Sequence, residues 1–160
     1  MRWLRLILLI ALAWVVMTTT HELGHIVAGC ACGGTLASYS LSPISLPFSI
    51  FEPDPHPLVT LWSGPILGAS VPVLIAWLFK HSYAMFIGYF CLLANGVYIG
   101  CAWFSGDQYL DTPKLLEHGA SHASILIYCL ITIGFGYLGF RHQCMTILKP
   151  ESAKGGGNHP

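Results

Sequence analysis

The stretch HELGH at residues 21–25 puts two imidazoles and a carboxyl at the end of an apolar run. His21 and His25 are four residues apart, so on a helix they stand on one face, one turn from each other. Two imidazoles so placed can grip one tetrahedral Zn²⁺. Glu22 lies beside them, positioned to take a proton from a metal-bound water. H-E-x-x-H is the zinc metalloprotease pattern. An ionisable side chain within a membrane is costly and marks a functional site by default. Three of them at metal-ligand spacing are hard to explain as packing.

These residues need a scaffold, and composition says which kind. Of 160 residues, 54% are hydrophobic and only 9% are Asp, Glu, Lys or Arg, against about 25% charged in ordinary globular chains. So few charges cannot coat a water-soluble surface. The formal net charge is zero, so nothing points to nucleic acid. The class is an all-α integral membrane protein of about four transmembrane helices.

Spanning the hydrocarbon takes roughly 20 helical residues. Four segments qualify, at about 3–30, 58–79, 83–104 and 120–140, and together they make one transmembrane domain over residues 1–140. Between the first two, the prolines of residues 33–57 exclude a regular helix, and the Ser, Tyr, Ile and Phe content suits short extended strands. Residues 141–160 read as a cytoplasmic, disordered tail. The six cysteines follow no zinc-finger or disulfide-framework spacing and read as small packing residues.

With four spans, six of the seven basic residues (Arg2, Arg5, Lys80, Arg141, Lys149 and Lys154) fall on one side, and Lys114 alone on the other. The positive-inside rule places both termini in the cytoplasm and the site towards the non-cytoplasmic side. A secretory or lipoprotein leader at the N-terminus is the competing reading, but His21, Glu22 and His25 interrupt its apolar region.

Catalytic zinc commonly has three protein ligands and one open position. The first and third spans run in the same direction, and the third ends in CAWFSGDQYLD. Asp107 therefore arrives at the depth of the His pair and is the expected third ligand. Asp111, one turn later, is the alternative, with His118 or His122 in reserve.

The order of these features resembles the site-two protease family of intramembrane zinc metalloproteases. HELGH in the first span matches that family's motif, GGTLASYSLSP looks like the short strands that follow it, and SGPILG at 63–68 looks like its Ser-Gly-Pro element. Gly68 stands where the family often has Asn. The resemblance covers roughly residues 3–111. It implies one Zn²⁺ per chain, an Asp from the end of the third span as ligand, Glu22 as catalytic base and Asn95 hydrogen-bonded to the substrate backbone. It also implies hydrolysis of peptide bonds in transmembrane segments of membrane proteins, with lipid as the surrounding partner. The rival reading is a non-catalytic membrane scaffold or accessory subunit that keeps the fold. A metal-ion transporter would need polar residues through the middle of several spans, and the second and fourth offer few.

Overall fold

A computed structural model describes residues 2–149. The elements run α1 (Arg2–Ala31), β1 (Leu36–Ser40), β2 (Phe48–Phe51), α2 (Pro57–Phe79), α3 (Ser82–Ser105), α4 (Asp111–Glu117) and α5 (His122–Leu148). All the helices except α4 are long and apolar enough to cross a membrane. Helix α1 is about 45 Å long at 1.5 Å per residue, more than the ~30 Å of hydrocarbon. Large apolar side chains such as Ile7, Leu78, Leu130 and Phe135 are exposed on the outer faces. That surface suits lipid and not water.

Helix α3 is the centre of the bundle, with α1, α2, α4 and α5 all packed against it. Lipid-embedded helices associate by close packing, which favours small residues at their crossings. Gly24 of α1 rests on α2, where a Cβ would come 2.6 Å from the Ser63 carbonyl oxygen. Gly136 of α5 rests on α3 in the same way, a Cβ there lying 2.6 Å from the Leu93 nitrogen.

Two features depart from the expected elements. Helix α5 does not stop at Phe140 but continues to Leu148. Residues 141–148 were expected to begin a disordered tail. They contain neither Gly nor Pro, and Gln143 is buried with its side-chain oxygen accepting from Ser82 Oγ at 3.1 Å. The rest of that tail, from Pro150 on, lies outside the described residues.

The second departure is α4, which had no counterpart. Asp111 in its first turn complements the helix dipole, and Pro113 is tolerated there because the first turn needs few N–H donors. At its other end Gly119 adopts a left-handed φ of 94°. Ala120 N then donates to Leu115 O at 2.8 Å and Gly119 N to Leu116 O at 3.1 Å, the paired bonds of a Schellman cap. Leu115 is fully buried with Ile99, Ile125 and Cys129. Thr112 Oγ1 donates to Ile99 O at 2.7 Å, which pins α4 to the last turns of α3.

Strands β1 and β2 form an antiparallel two-stranded sheet. It is tied to α1 at two distant points. The Phe51 ring fills the space over Gly29, where a Cβ would overlap it. At the loop end, Trp14 Nε1 donates to Pro43 O at 2.9 Å. Those anchors are about 22 Å apart along α1, so the hairpin lies along the helix and crosses Glu22.

The Gly136 crossing is testable against Gly134, whose added Cβ would meet nothing within 4 Å. Gly136→Ala is expected to destabilise the bundle by about 1–3 kcal/mol through overpacking. Gly134→Ala is expected to be neutral or to stabilise by up to about 1 kcal/mol through helix propensity. Thermal unfolding of both variants in detergent checks the contrast.

Candidate metal centre

His21 and His25 leave α1 on the face turned towards α2 and α3, and both are buried. Space for them comes from glycines on α2. A Cβ on Gly64 would overlap the His25 ring, and one on Gly68 would sit 3.0 Å from both Asn95 Oδ1 and His21 Cα. The Ser63 hydroxyl lies within hydrogen-bonding reach of Gly24 O at 2.9 Å and Thr60 O at 2.6 Å. The SGPILG element is therefore the surface on which the two imidazoles rest.

Each ring is fixed through its outer nitrogen. His21 Nδ1 lies 2.7 Å from Asn95 Oδ1, and His25 Nδ1 lies 2.8 Å from the Thr60 carbonyl oxygen. The Asn95 amide is oriented in turn, because its Nδ2 donates to Cys91 O at 2.8 Å. Amide and peptide oxygens only accept, so the hydrogen-bond partners assign a proton to each Nδ1. In neutral imidazoles that leaves a lone pair on each Nε2.

Those lone pairs converge on one carboxylate. His21 Nε2 is 2.8 Å and His25 Nε2 3.4 Å from Asp111 Oδ2, and the two Nε2 atoms are 3.1 Å apart. Three electron-pair donors at such distances repel one another unless a cation lies among them. A proton satisfies one edge of the triangle; a metal ion satisfies all three. Donors about 2.0–2.2 Å from a tetrahedral metal are about 3.3–3.6 Å apart, so the triangle fits such an ion with a small expansion. Burial alone would raise the Asp111 carboxyl; positive charge on the facing imidazoles of His25 and His21 holds it well below the usual carboxylate range, and a metal ion in the triangle would act on it in the same direction.

Glu22 brings a second carboxylate. One of its oxygens lies within 4.8 Å of ligand atoms on both histidines, so His21, Glu22 and His25 form a buried group able to hold a metal. Asp111 approaches the two Nε2 atoms more closely than that limit requires, and it completes the triangle. Glu22 Oε2 instead accepts from Ser49 Oγ of β2 at 3.0 Å. That bond aims the carboxyl at the space beside the donors.

The expected third ligand, Asp107, does not reach the site. It is exposed, and its carboxylate builds the turn after α3 by accepting from Tyr109 N at 2.9 Å. Gly106, with a left-handed φ of 72°, ends α3 and starts that turn. The chain then folds back, and α4 returns Asp111 to the bundle. Asn95 also differs from its expected role. It is fully buried, its amide bonds to His21 and Cys91 inside the bundle, and it lines neither recess beside the site.

The reserve histidines lie elsewhere. His118 Nδ1 is bonded to Lys114 O at 2.8 Å on the rim of the site, and His122 stacks on Trp103 with centroids 5.3 Å apart. Thr60, which anchors His25, acts through its backbone carbonyl, for which residue type gives no signal. Tyr98, edge-on to His21 with centroids 5.3 Å apart, was also missed. Its spacing of three from Asn95 on one helix face was the available clue.

A cleft of about 410 Å³ opens onto these groups, bounded by Glu22, His25, Asp111, the hairpin from Leu46 to Phe51, and the start of α2. No protein-family profile, curated protein or solved structure matches the chain.

The two aspartates make opposite forecasts. Asp111→Ala is expected to abolish tight binding of a divalent metal, and Asp107→Ala to leave it unchanged. Asn95→Leu removes the partner that orients His21 and is expected to weaken binding about 10–100-fold. Metal competition titrations on the purified variants measure all three.

Proposed function

We propose that this chain is an intramembrane zinc metalloprotease in which His21, His25 and Asp111 hold the metal and Glu22 is the general base. The observation that carries this reading is the convergence of three fixed lone pairs beside an uncoordinated, hydrogen-bonded carboxyl. The HELGH match to the site-two proteases points the same way. Two imidazoles and one carboxylate at the base of a partly apolar cleft suit Zn²⁺ better than the oxygen-seeking Mg²⁺ or Ca²⁺. When bound, zinc supplies a Lewis acid that brings the pKa of a water to about 7 and polarises a carbonyl.

The protein's own groups do the rest. Asn95 and the Thr60 carbonyl hold each imidazole in the tautomer that turns its Nε2 inward. Glu22 takes the proton of the attacking water and delivers it to the departing amine, one carboxyl serving in turn as base and acid. Ser49 holds that carboxyl in place. Residues Phe48 to Ile50 of β2 bound the cleft, and among the described residues β2 pairs with β1 alone. The other edge is available to an extended peptide as an added strand. A transmembrane helix must unwind before hydrolysis, because its amides are already hydrogen-bonded to one another, and an edge strand gives the unwound segment replacement partners. The positive-inside rule, applied to the basic residues, supports both termini in the cytoplasm and this cleft on the opposite side.

The test compares wild type with Glu22→Gln on a pool of transmembrane segments in liposomes, with cleavage read by mass spectrometry and zinc by elemental analysis. The expected result is equal zinc in both and cleavage slower by about 100-fold or more in Glu22→Gln. Purified protein that takes up no zinc would instead favour the non-catalytic scaffold.

A further inference from the structure

Two recesses meet at the centre. The first is the cleft already described. The second, of about 260 Å³, lies between α1 and the loop Pro43–Pro47, walled by Trp14, Met17 and Ile44. Among the described residues, four line both: Glu22, Leu46, Pro47 and Tyr98. Leu46 and Pro47 are apolar. An extended chain threading from one recess into the other therefore meets two polar side chains at the junction, the Glu22 carboxyl and the Tyr98 hydroxyl. The Tyr98 ring is held at right angles to His21, with an interplanar angle of 88°.

Peptide hydrolysis makes a demand that Glu22 cannot meet. As water attacks, a C–O bond forms and the electron pair of the carbonyl π bond moves onto its oxygen. That developing charge falls in part to the Lewis acid that bound zinc supplies, and the rest needs a hydrogen-bond donor on the other side of the oxygen. Glu22 is an anion whose part is to accept the water's proton, and close approach would repel the oxyanion. A phenol is a neutral O–H donor at pH 7. Tyr109, Lys114 and His118 are further donors on the cleft wall, but all three line the outer recess alone. The Ser49 and Thr60 hydroxyls there already donate to Glu22 and Asp54.

We infer that Tyr98 is a catalytic residue of the proposed protease, donating a hydrogen bond from its phenolic hydroxyl to the carbonyl oxygen of the scissile peptide. The inference rests on the protease reading. Tyr98 keeps its proton throughout: it stabilises the tetrahedral oxyanion, which reforms the C=O bond as the C–N bond breaks and Glu22 protonates the amine. Its contribution is realised only as charge develops, so it raises kcat and leaves substrate binding alone.

Tyr98→Phe removes the hydroxyl and keeps the ring edge against His21. Three quantities are compared with wild type: steady-state cleavage of one apolar transmembrane peptide in detergent, zinc content, and affinity for a phosphinic peptide that mimics the tetrahedral oxyanion. The expected result is a kcat lower by about 100- to 1,000-fold, an unchanged KM, unchanged zinc content and weaker phosphinic-peptide binding. Equal kcat and equal phosphinic-peptide affinity in the two proteins would overturn the role, as would loss of zinc in Tyr98→Phe, which makes the residue a support for His21. A zinc-loaded wild type that cleaves nothing would overturn the protease reading and this role with it.

Discussion

Everything in this bundle defers to the arrangement of two outer imidazole nitrogens. Because Asn95 and the Thr60 carbonyl each take an N–H from a histidine, the inner nitrogens are left as bare lone pairs. Placing those pairs 3.1 Å apart, against a carboxylate, is unfavourable in water and worse at low dielectric. The fold tolerates it at a point where four separate elements are locked together. Helix α1 brings the imidazoles, α2 and α3 fix their tautomers, and α4 supplies the anion. A cation bound there repays the strain and ties those elements to one another.

The demand for close approach explains the small residues along the crossings. Gly24, Gly64 and Gly68 are places where a side chain would displace a histidine or the backbone it rests on. In lipid, burial of apolar area gives helices little reason to associate, so contact at van der Waals distance and satisfied polar groups must hold the bundle. Among the described residues no buried side-chain nitrogen or oxygen lacks a hydrogen-bond partner. Away from the His21, His25 and Asp111 triangle, the polar interior is therefore satisfied within the bundle.

How much of this was legible depends on how local each feature is. HELGH could be read directly, since a spacing of four on a helix needs no tertiary information. The four long apolar helices followed from length and composition. Asp111 could not be separated from Asp107 in that way, because the choice turns on a reversal at Gly106 and on a seven-residue helix held by Leu115 and Thr112. The start signals Asp111 and Pro113 and the stop at Gly119 were present in the sequence, but the segment is too short to stand out by periodicity. Asn95 was singled out, yet its partner comes from a helix 74 residues away, and no pattern along the chain specifies that pairing. The extension of α5 was hidden by a switch to polar residues at Arg141, His142 and Gln143, which end an apolar run without ending a helix.

X-ray absorption spectroscopy of the zinc-loaded protein tests the central claim most directly, because it reports the identity and distance of the atoms around the ion. The expected spectrum shows nitrogen and oxygen neighbours alone, at about 2.0–2.2 Å, with the multiple-scattering signature of two imidazoles, and Asp111→Ala alters it. Sulfur at about 2.3 Å, or a spectrum indifferent to the loss of Asp111, would contradict a metal held between His21, His25 and Asp111.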